Sequence, residues 1–368
     1  FPGAVLSHRS AIEFKPTASG HIFLTYKYTR NIRLPGLTVG LLQGPGPIDG
    51  DNPLAEGLYA AQPARAYLEN FQSVRKYGPE AKTLTAPELE EQLEKIVRVS
   101  GEDGLNALRD RAKPIAQALG MTKEYDALDL VIGALLSSKP SKILASPVAT
   151  ARAFGVPYDP ARIALFGELF AGLKQQVFPD YPEQNTSVRA FRNFAFFEAY
   201  FSNFIEGTEF EIDEAWQIIE TQQPLPLRNE DSHDILGTYK LVSNPDEMRT
   251  VPQDADDLLR ILRYRHAVLM QARPTKQPGE FKDQNNRAGN TRFVDFQLAR
   301  GTLIKGFELY RALTDPFTRA AFMMFMVSEV HPFLDGNGRV ARVMMNAELV
   351  AAGKAKIIIP TVYRDDYI

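Results

Sequence analysis

The sequence predicts a mainly α chain preceded by an α+β N-terminal domain, and three observations predict it. The first fifty residues carry short apolar runs between Gly and Pro. From Pro53 onward the apolar period becomes helical. Phe178-Pro179-Asp180-Tyr181-Pro182 then interrupts that pattern and reads as a linker. With 368 residues the chain exceeds one typical core. The expected domains are therefore 1–180, α+β then helical, and 188–368, almost wholly helical.

Ile22-Phe23-Leu24-Thr25-Tyr26 and Leu37-Thr38-Val39-Gly40-Leu41-Leu42 are expected strands, and Gly44-Pro45-Gly46-Pro47 breaks the chain after them. Leu89, Leu93, Ile96 and Val97 form one apolar stripe on a charged helix, and further helices are expected over 103–119, 123–137 and 159–177. The acidic run Asp254, Asp256, Asp257 is expected to open a helix at Leu258 rather than to bind metal. One stretch departs from the helical pattern: 285–296 is polar and Gly-containing, then β-prone at Thr291-Arg292-Phe293-Val294, which suggests a loop or small hairpin.

Composition narrows the function classes. Apolar content of 44% and charged content of 24% are those of an ordinary globular protein. With 42 basic against 45 acidic residues the net charge is −3, so the chain as a whole has no nucleic-acid footprint. The absence of cysteine excludes disulfides and thiolate metal sites and fits a reducing cytosol, so a cytoplasmic location is expected. No apolar run approaches the ~18 residues that span a bilayer, so no membrane partner is expected. A start at Phe1 and a stop at Ile368 soon after an apolar run suggest trimmed ends.

The densest chemistry lies in His331-Pro332-Phe333-Leu334-Asp335-Gly336-Asn337-Gly338-Arg339-Val340-Ala341-Arg342. Phe322, Phe325, Met326 and Val330 give one helical face that should stop at His331, because Pro disfavours α geometry in the residue before it. A new helix begins near Gly338, so the loop ends at a helix N-terminus, where unpaired N–H groups and the dipole favour an anion. Gly336 and Gly338 permit close approach by phosphate oxygens, and Asn337 offers a short amide donor. Arg339 and Arg342, three apart, can grip further phosphates. Asp335 is a hard oxygen ligand suited to Mg²⁺. His331 titrates near neutrality and can take a proton from a hydroxyl. Phe333 is expected to anchor the loop in the core.

These residues resemble the signature of Fic-domain proteins, His-x-Phe-x-Asp/Glu-Gly-Asn-Gly-Arg-x-x-Arg, at every specified position. The resemblance implies the Fic helical fold with a small flap hairpin. It also implies transfer of AMP from ATP, with Mg²⁺, to a Ser, Thr or Tyr hydroxyl of a target protein or of the chain itself. It makes His331 the base and Asp335 the Mg²⁺ ligand. Gly336, Asn337 and Gly338 become the anion hole, with Arg339 on the phosphate chain and Arg342 on the γ-phosphate. Gly338, where Doc-type kinases carry Lys, favours nucleotidyl transfer. Other relatives use UTP, GTP or phosphocholine donors, and the loop leaves the base open.

Ser202-Asn203-Phe204-Ile205-Glu206-Gly207 resembles the inhibitory helix of the class that carries it N-terminal to the catalytic loop, here near 188–206. The resemblance pairs Glu206 with Arg342, blocking the γ-phosphate site, while Gly207 should end the helix. Taken alone, the motif reads equally as a solvated Glu before a Gly cap. In some relatives this glutamate also positions water to remove AMP, which leaves a deadenylylating role open. Thr291, Arg292, Phe293 and Val294, within Gly289–Val294, stand at the position of the family's flap, which docks the target by strand addition; an ordinary surface hairpin is the alternative. Ile359-Pro360-Thr361-Val362-Tyr363-Arg364 resembles the downstream segment less specifically.

Pro2–Ala11 with the strands that follow resembles, weakly, antitoxin-like proteins of abortive-infection systems. Arg9, Lys15, Lys27, Arg30 and Arg33 against Glu13 mark either a nucleic-acid face or a solvated strand face. His8, His21, His233 and His266 have no ligand-like spacing. The rival to a transferase is a nucleotide-sensing regulatory protein that binds DNA or a partner without turnover. Oligomeric state is not legible.

Overall fold

The computed structural model describes residues 1–73, 80–136, 143–289 and 291–363. It divides into two compact units, Phe1–Pro157 and Tyr158–Ile368. The boundary thus lies upstream of the Phe178–Pro182 segment, and the helix expected over 159–177 belongs to the second unit. Phe166 is the reason: it is fully buried in the second core, edge-on to both Phe322 and Phe325.

The first unit starts with β1 (Val5–Leu6), α1 (His8–Glu13), β2 (His21–Tyr26), β3 (Arg30–Leu34), β4 (Leu37–Gln43), β5 (Asn52–Pro53) and β6 (Tyr59–Ala60). Their sheet order is β3-β4-β2-β1-β6-β5. A Pro35-Gly36 turn, with Gly36 at φ +72°, joins β3 to β4 as a hairpin. β2 pairs parallel with β4 (His21 opposite Thr38), and β1 pairs parallel with β6 (Val5 opposite Tyr59).

Helices α2 (Pro63–Asn70), α3 (Ala86–Leu119), α4 (Thr122–Leu135) and α5 (Pro147–Ala153) follow. Thr85 and Glu88 form a capping box that starts α3. Gly101, at φ +69° and ψ −173°, breaks α3 into two segments. Leu89, Leu93 and Val97 bury their stripe against α2 and α4. The expected helix end at residue 137 lies outside the described residues.

Arg65 on α2 is fully buried. It donates to Asp51, Glu69, Thr25 and the carbonyls of Pro45 and Gly46, which fixes the Gly44–Pro47 break. Of the five basic residues considered for nucleic acid, Arg9 is buried and paired with Glu13, whereas Arg30 and Arg33 are exposed on β3, the sheet's edge.

The second unit contains α6 (Pro160–Gln175), α7 (Val188–Ile205), α8 (Ile212–Thr221), α9 (Asn229–Val242), α10 (Pro245–Arg249) and α11 (Ala255–Leu269). A hairpin of β7 (Arg287–Ala288) and β8 (Thr291–Arg292) precedes α12 (Phe296–Tyr310), α13 (Pro316–Val330) and α14 (Asn337–Ala351). Asp254 caps α11 by accepting from the Asp257 N–H, so the acidic run does open that helix. The core lies among α11, α12, α13 and α14, and α7 packs on α9 and α14. No described helix is long and apolar enough to cross a membrane.

Candidate active site

The site is the turn between α13 and α14. His331 caps α13 in the left-handed region, φ +50° and ψ +59°, and its N–H still reaches the Val327 carbonyl. Pro332 prevents the helix from continuing, so the chain turns away at this residue. Strained non-glycine backbone of this kind concentrates at functional sites. The His331 Nδ1 lies 3.1 Å from the Ser328 carbonyl oxygen, which can only accept. Nδ1 therefore carries the proton and Nε2 is left as the basic nitrogen. The Phe293 ring stacks on the imidazole at 3.6 Å between centroids and 6° between planes. Burial pushes the imidazole pKa down to about 4, opposed by the Ser328 hydrogen bond and assisted by the charge of Lys282. At neutral pH His331 is an unprotonated base.

The turn itself is held from inside. Phe333 is fully buried, stacked on His266 at 3.8 Å and on Phe281 at 5.3 Å. His266, given no role by its sequence spacing, accepts from the Gly279 N–H at Nδ1 and donates from Nε2 to the Asp335 carbonyl. Lys282 donates its N–H to the Pro332 carbonyl, and its ammonium bonds Asn286, whose amide donates to the Phe333 carbonyl. Burial lowers the Lys282 pKa to about 8, against the pull of Asp295.

Asn337 is held within the turn. Its amide closes the turn from within, accepting from Phe333 N–H and donating to Phe333 O, both at 2.9 Å. Burial of those backbone groups requires partners, and one of the two amide N–H groups is committed to meeting that need.

Asp335 is partly exposed. Its Oδ1 accepts from the Gly336 N–H at 2.7 Å, and its Oδ2 lies 3.4 Å from Lys276 Nζ. Burial alone would raise its pKa, but that N–H and the charges of Arg339 and Lys276 outweigh it and hold the carboxyl below its usual range. Among the described residues no cluster of three or more His, Cys, Asp or Glu could hold a metal. A metal at Asp335 would thus need most of its ligands from phosphate and water, a set that suits Mg²⁺.

Gly336, at φ +72°, precedes α14, and Gly338 lies in its first turn. Arg339 and Arg342 project from the same helix, and both are buried. Arg339 Nη1 pairs with Asp234 on α9 at 2.9 Å and donates to Asn203 Oδ1 on α7 at 3.1 Å. Its Nε is buried with no acceptor among the described residues. Arg342 donates from Nε to Ser202 Oγ and from Nη2 to the Ser202 carbonyl, both at 2.8 Å, and from Nη2 to Glu206 at 2.7 Å. Helix α7 ends at Ile205, with Glu206 as its cap and Gly207 at φ +92°. The two arginines foreseen as phosphate donors are therefore both engaged by α7.

The hairpin brings Phe293 onto His331 and leaves Thr291 and Arg292 exposed. Val294 does not join them; it is buried in the core and anchors the hairpin. Arg162 on α6 donates to the Arg292 carbonyl at 2.7 Å. Asn290 and Arg364 lie outside the described residues.

Residues 255–349, from the start of α11 to near the end of α14, match the profile of the Fic/DOC family. Proteins named protein adenylyltransferase Fic from Drosophila willistoni and Drosophila yakuba are each 29% identical, over 192 and 195 residues. Each match spans 50% of this chain but only 38% of the relative's own length. Among solved structures, a Fic domain-containing signaling protein from Bacteroides thetaiotaomicron is 18% identical, with a TM-score of 0.42, over 56% of this chain and 79% of that one. Fic-1 from C. elegans is 17% identical, with a TM-score of 0.40, over 76% and 82%.

Proposed function

We propose that this chain, which carries a domain of the Fic/DOC family, is an autoinhibited protein adenylyltransferase. It would transfer AMP from ATP to a Ser, Thr or Tyr hydroxyl of a target protein or of itself. The observation that carries the reading is the Glu206 carboxylate on Arg342, the last arginine of the loop motif, at 2.7 Å. A buried arginine near a glycine-rich helix start suits a phosphate, and here a side chain of the same chain holds it.

In the active state Glu206 withdraws and the triphosphate lies along the first turn of α14. Gly336 and Gly338 admit its oxygens to the backbone N–H groups. The open Nε–H of Arg339 supplies a buried donor for the phosphate chain, and Arg342 takes the terminal phosphate. Asp335 would hold Mg²⁺, which neutralises phosphate charge when bound. His331 Nε2 accepts the proton as the target oxygen bonds to the α-phosphorus. The bond from that phosphorus to the bridging oxygen breaks, and pyrophosphate leaves with the electron pair. The exposed hairpin edge at Thr291 and Arg292 would receive an extended target segment as an added strand.

The test is the intact mass of the Glu206→Gly protein after incubation with Mg²⁺ and each of ATP, GTP, UTP and CTP. One added nucleoside monophosphate, lost again in Glu206→Gly with His331→Ala, is the expected result and names the donor base. A phosphate-sized gain would mean kinase chemistry. No gain with any donor, alone or with a cell lysate, would turn the reading toward a nucleotide sensor.

A further inference from the structure

The Phe293–His331 stack joins the hairpin to the end of α13, and a residue of α6 touches both sides of it. The hairpin has two residue pairs, Arg287 with Arg292 and Ala288 with Thr291. A hairpin so short is marginal by itself, so its place over the imidazole is set from outside. Its root is tied down. The Asn285 amide donates to Asp295, its oxygen accepts from the Phe296 N–H, and Val294 is buried in the core. Further out, Arg162 Nη2 donates to the Arg292 carbonyl at 2.7 Å, one residue before Phe293. From Nη1 the same guanidinium pairs with Glu329, in the last turn of α13. Glu329 stands two residues before His331 and one after Ser328, whose carbonyl holds the imidazole. One side chain thus grips the strand that leads into Phe293 and the helix turn that His331 caps.

Arg162 starts from fixed backbone. It lies in the first turn of α6, where Asp159 accepts from its N–H at 3.2 Å. The Asp159 N–H in turn donates to the buried Thr302 on α12 at 2.9 Å. Phe166, one turn further on, seats α6 against Phe322 and Phe325 of α13. The planar fork of a guanidinium serves two acceptors at once, which a single ammonium does less well. Arg162 lies upstream of residues 255–349, so the stretch that matches the family profile is braced here by a residue outside it.

We propose that Arg162 is a positioning residue. It latches the hairpin to α13 and keeps Phe293 on His331 while a target segment pulls on the exposed edge at Thr291 and Arg292. This rests on the reading of His331 as the base and of the hairpin as the docking edge. Without the latch, an added strand draws the hairpin outward and the stack over the base opens.

The test is NMR of the full chain, because a proton over the face of an aromatic ring is shifted upfield. The His331 ring proton, assigned by its loss in His331→Ala, should move toward the position of an unstacked histidine in Arg162→Ala. Glu329→Gln should move it the same way by less. The two variants remove opposite charges, so a shared direction cannot come from charge. Urea midpoints should stay close to that of the parent. In the Glu206→Gly background, Arg162→Ala should slow self-modification with Mg²⁺ and ATP roughly tenfold, the size of one charge-assisted bond, with the KM for ATP unchanged. Arg162→Lys, which keeps one charged donor, should recover part of that rate.

An unmoved ring proton in Arg162→Ala, or in Glu329→Gln should the first variant misfold, overturns the latch and leaves the transferase reading intact. A moved proton with a lowered urea midpoint and a raised KM for ATP means a general structural role and also overturns it. A moved proton with full self-modification overturns the positioning role. A Glu206→Gly protein that transfers nothing removes the transferase reading and the positioning role with it, while the ring proton still decides whether Arg162 holds the stack.

Discussion

Glu206 occupies the space that a side chain on Gly338 would need: a Cβ built there collides with the glutamate's Oε1 and approaches Arg342 Nη1 to 3.2 Å. Glycine at 338 therefore gives the carboxylate its seat and, on the proposed reading, also admits a ligand to the backbone. Gly338→Ala should push Glu206 off Arg342. Overpacking costs about 1–3 kcal/mol, and most of that should vanish in a Glu206→Gly background, where nothing is left to displace. Urea unfolding of the two single variants and the double variant measures the coupling; additive effects would contradict the shared space.

The Phe293–His331 stack makes the base depend on the hairpin. The imidazole's pKa of about 4 is depressed from 6.5 chiefly by burial. A group so depressed stays a base at every pH above about 4. The matching stability contribution is present above 6.5 and is lost as pH falls toward 4. Phe293→Ala should expose the ring and raise its pKa by roughly 1–2 units. The acid limb of the proposed transfer should move up by the same amount, and an NMR titration of the His331 ring proton reads the pKa directly. An unmoved titration would mean that the stack does not shield the base.

Lys276 Nζ lies 3.4 Å from the Asp335 carboxylate, with both side chains about two-fifths exposed. Exposed pairs are worth only about 0–1 kcal/mol. Lys276→Ala should therefore strengthen Mg²⁺-dependent nucleotide binding by less than about tenfold, whereas Asp335→Ala should remove the dependence on Mg²⁺. Titrations with and without chelator compare the two.

In the first unit Arg65 is the countercharge for the buried Asp51 and Glu69. Arg65→Ala removes the ion-pair partner of both buried carboxylates and should cost about 3–5 kcal/mol. Chemical denaturation checks this, and a change below about 1 kcal/mol would show that water reaches the cluster.

Parts of this molecule were legible because local rules decide them. The stop at His331 follows from Pro332, the start of α11 from Asp254, and the strands at 21–26 and 37–43 from short apolar runs between Gly and Pro. What was not legible depends on residues far apart in the chain. His266 gave no signal because its partner Asp335 is 69 positions away and the contact is to a backbone carbonyl. The inward turn of the Asn337 amide was hidden for a similar reason: the residue type suits a phosphate and a loop clasp equally well. The parallel pairings of β1 with β6 and β2 with β4 are set by tertiary packing that no local pattern records. The helix expected over 159–177 formed as Pro160–Gln175, but its side of the boundary was decided by what Phe166 touches.

Asn203 gives α7 a further consequence. Its amide reaches the Ala199 carbonyl, Thr238 Oγ1 and Arg339, so the helix is sewn to the domain one residue after Ser202. On the proposed reading, release does not ask α7 to peel away. The moving part is a single side chain past the helix end, which can change rotamer in picoseconds to nanoseconds. Such a switch has no hinge and no slow step of its own. Its setting is an equilibrium contest for one guanidinium, open to retuning by any group that reaches Arg342 first.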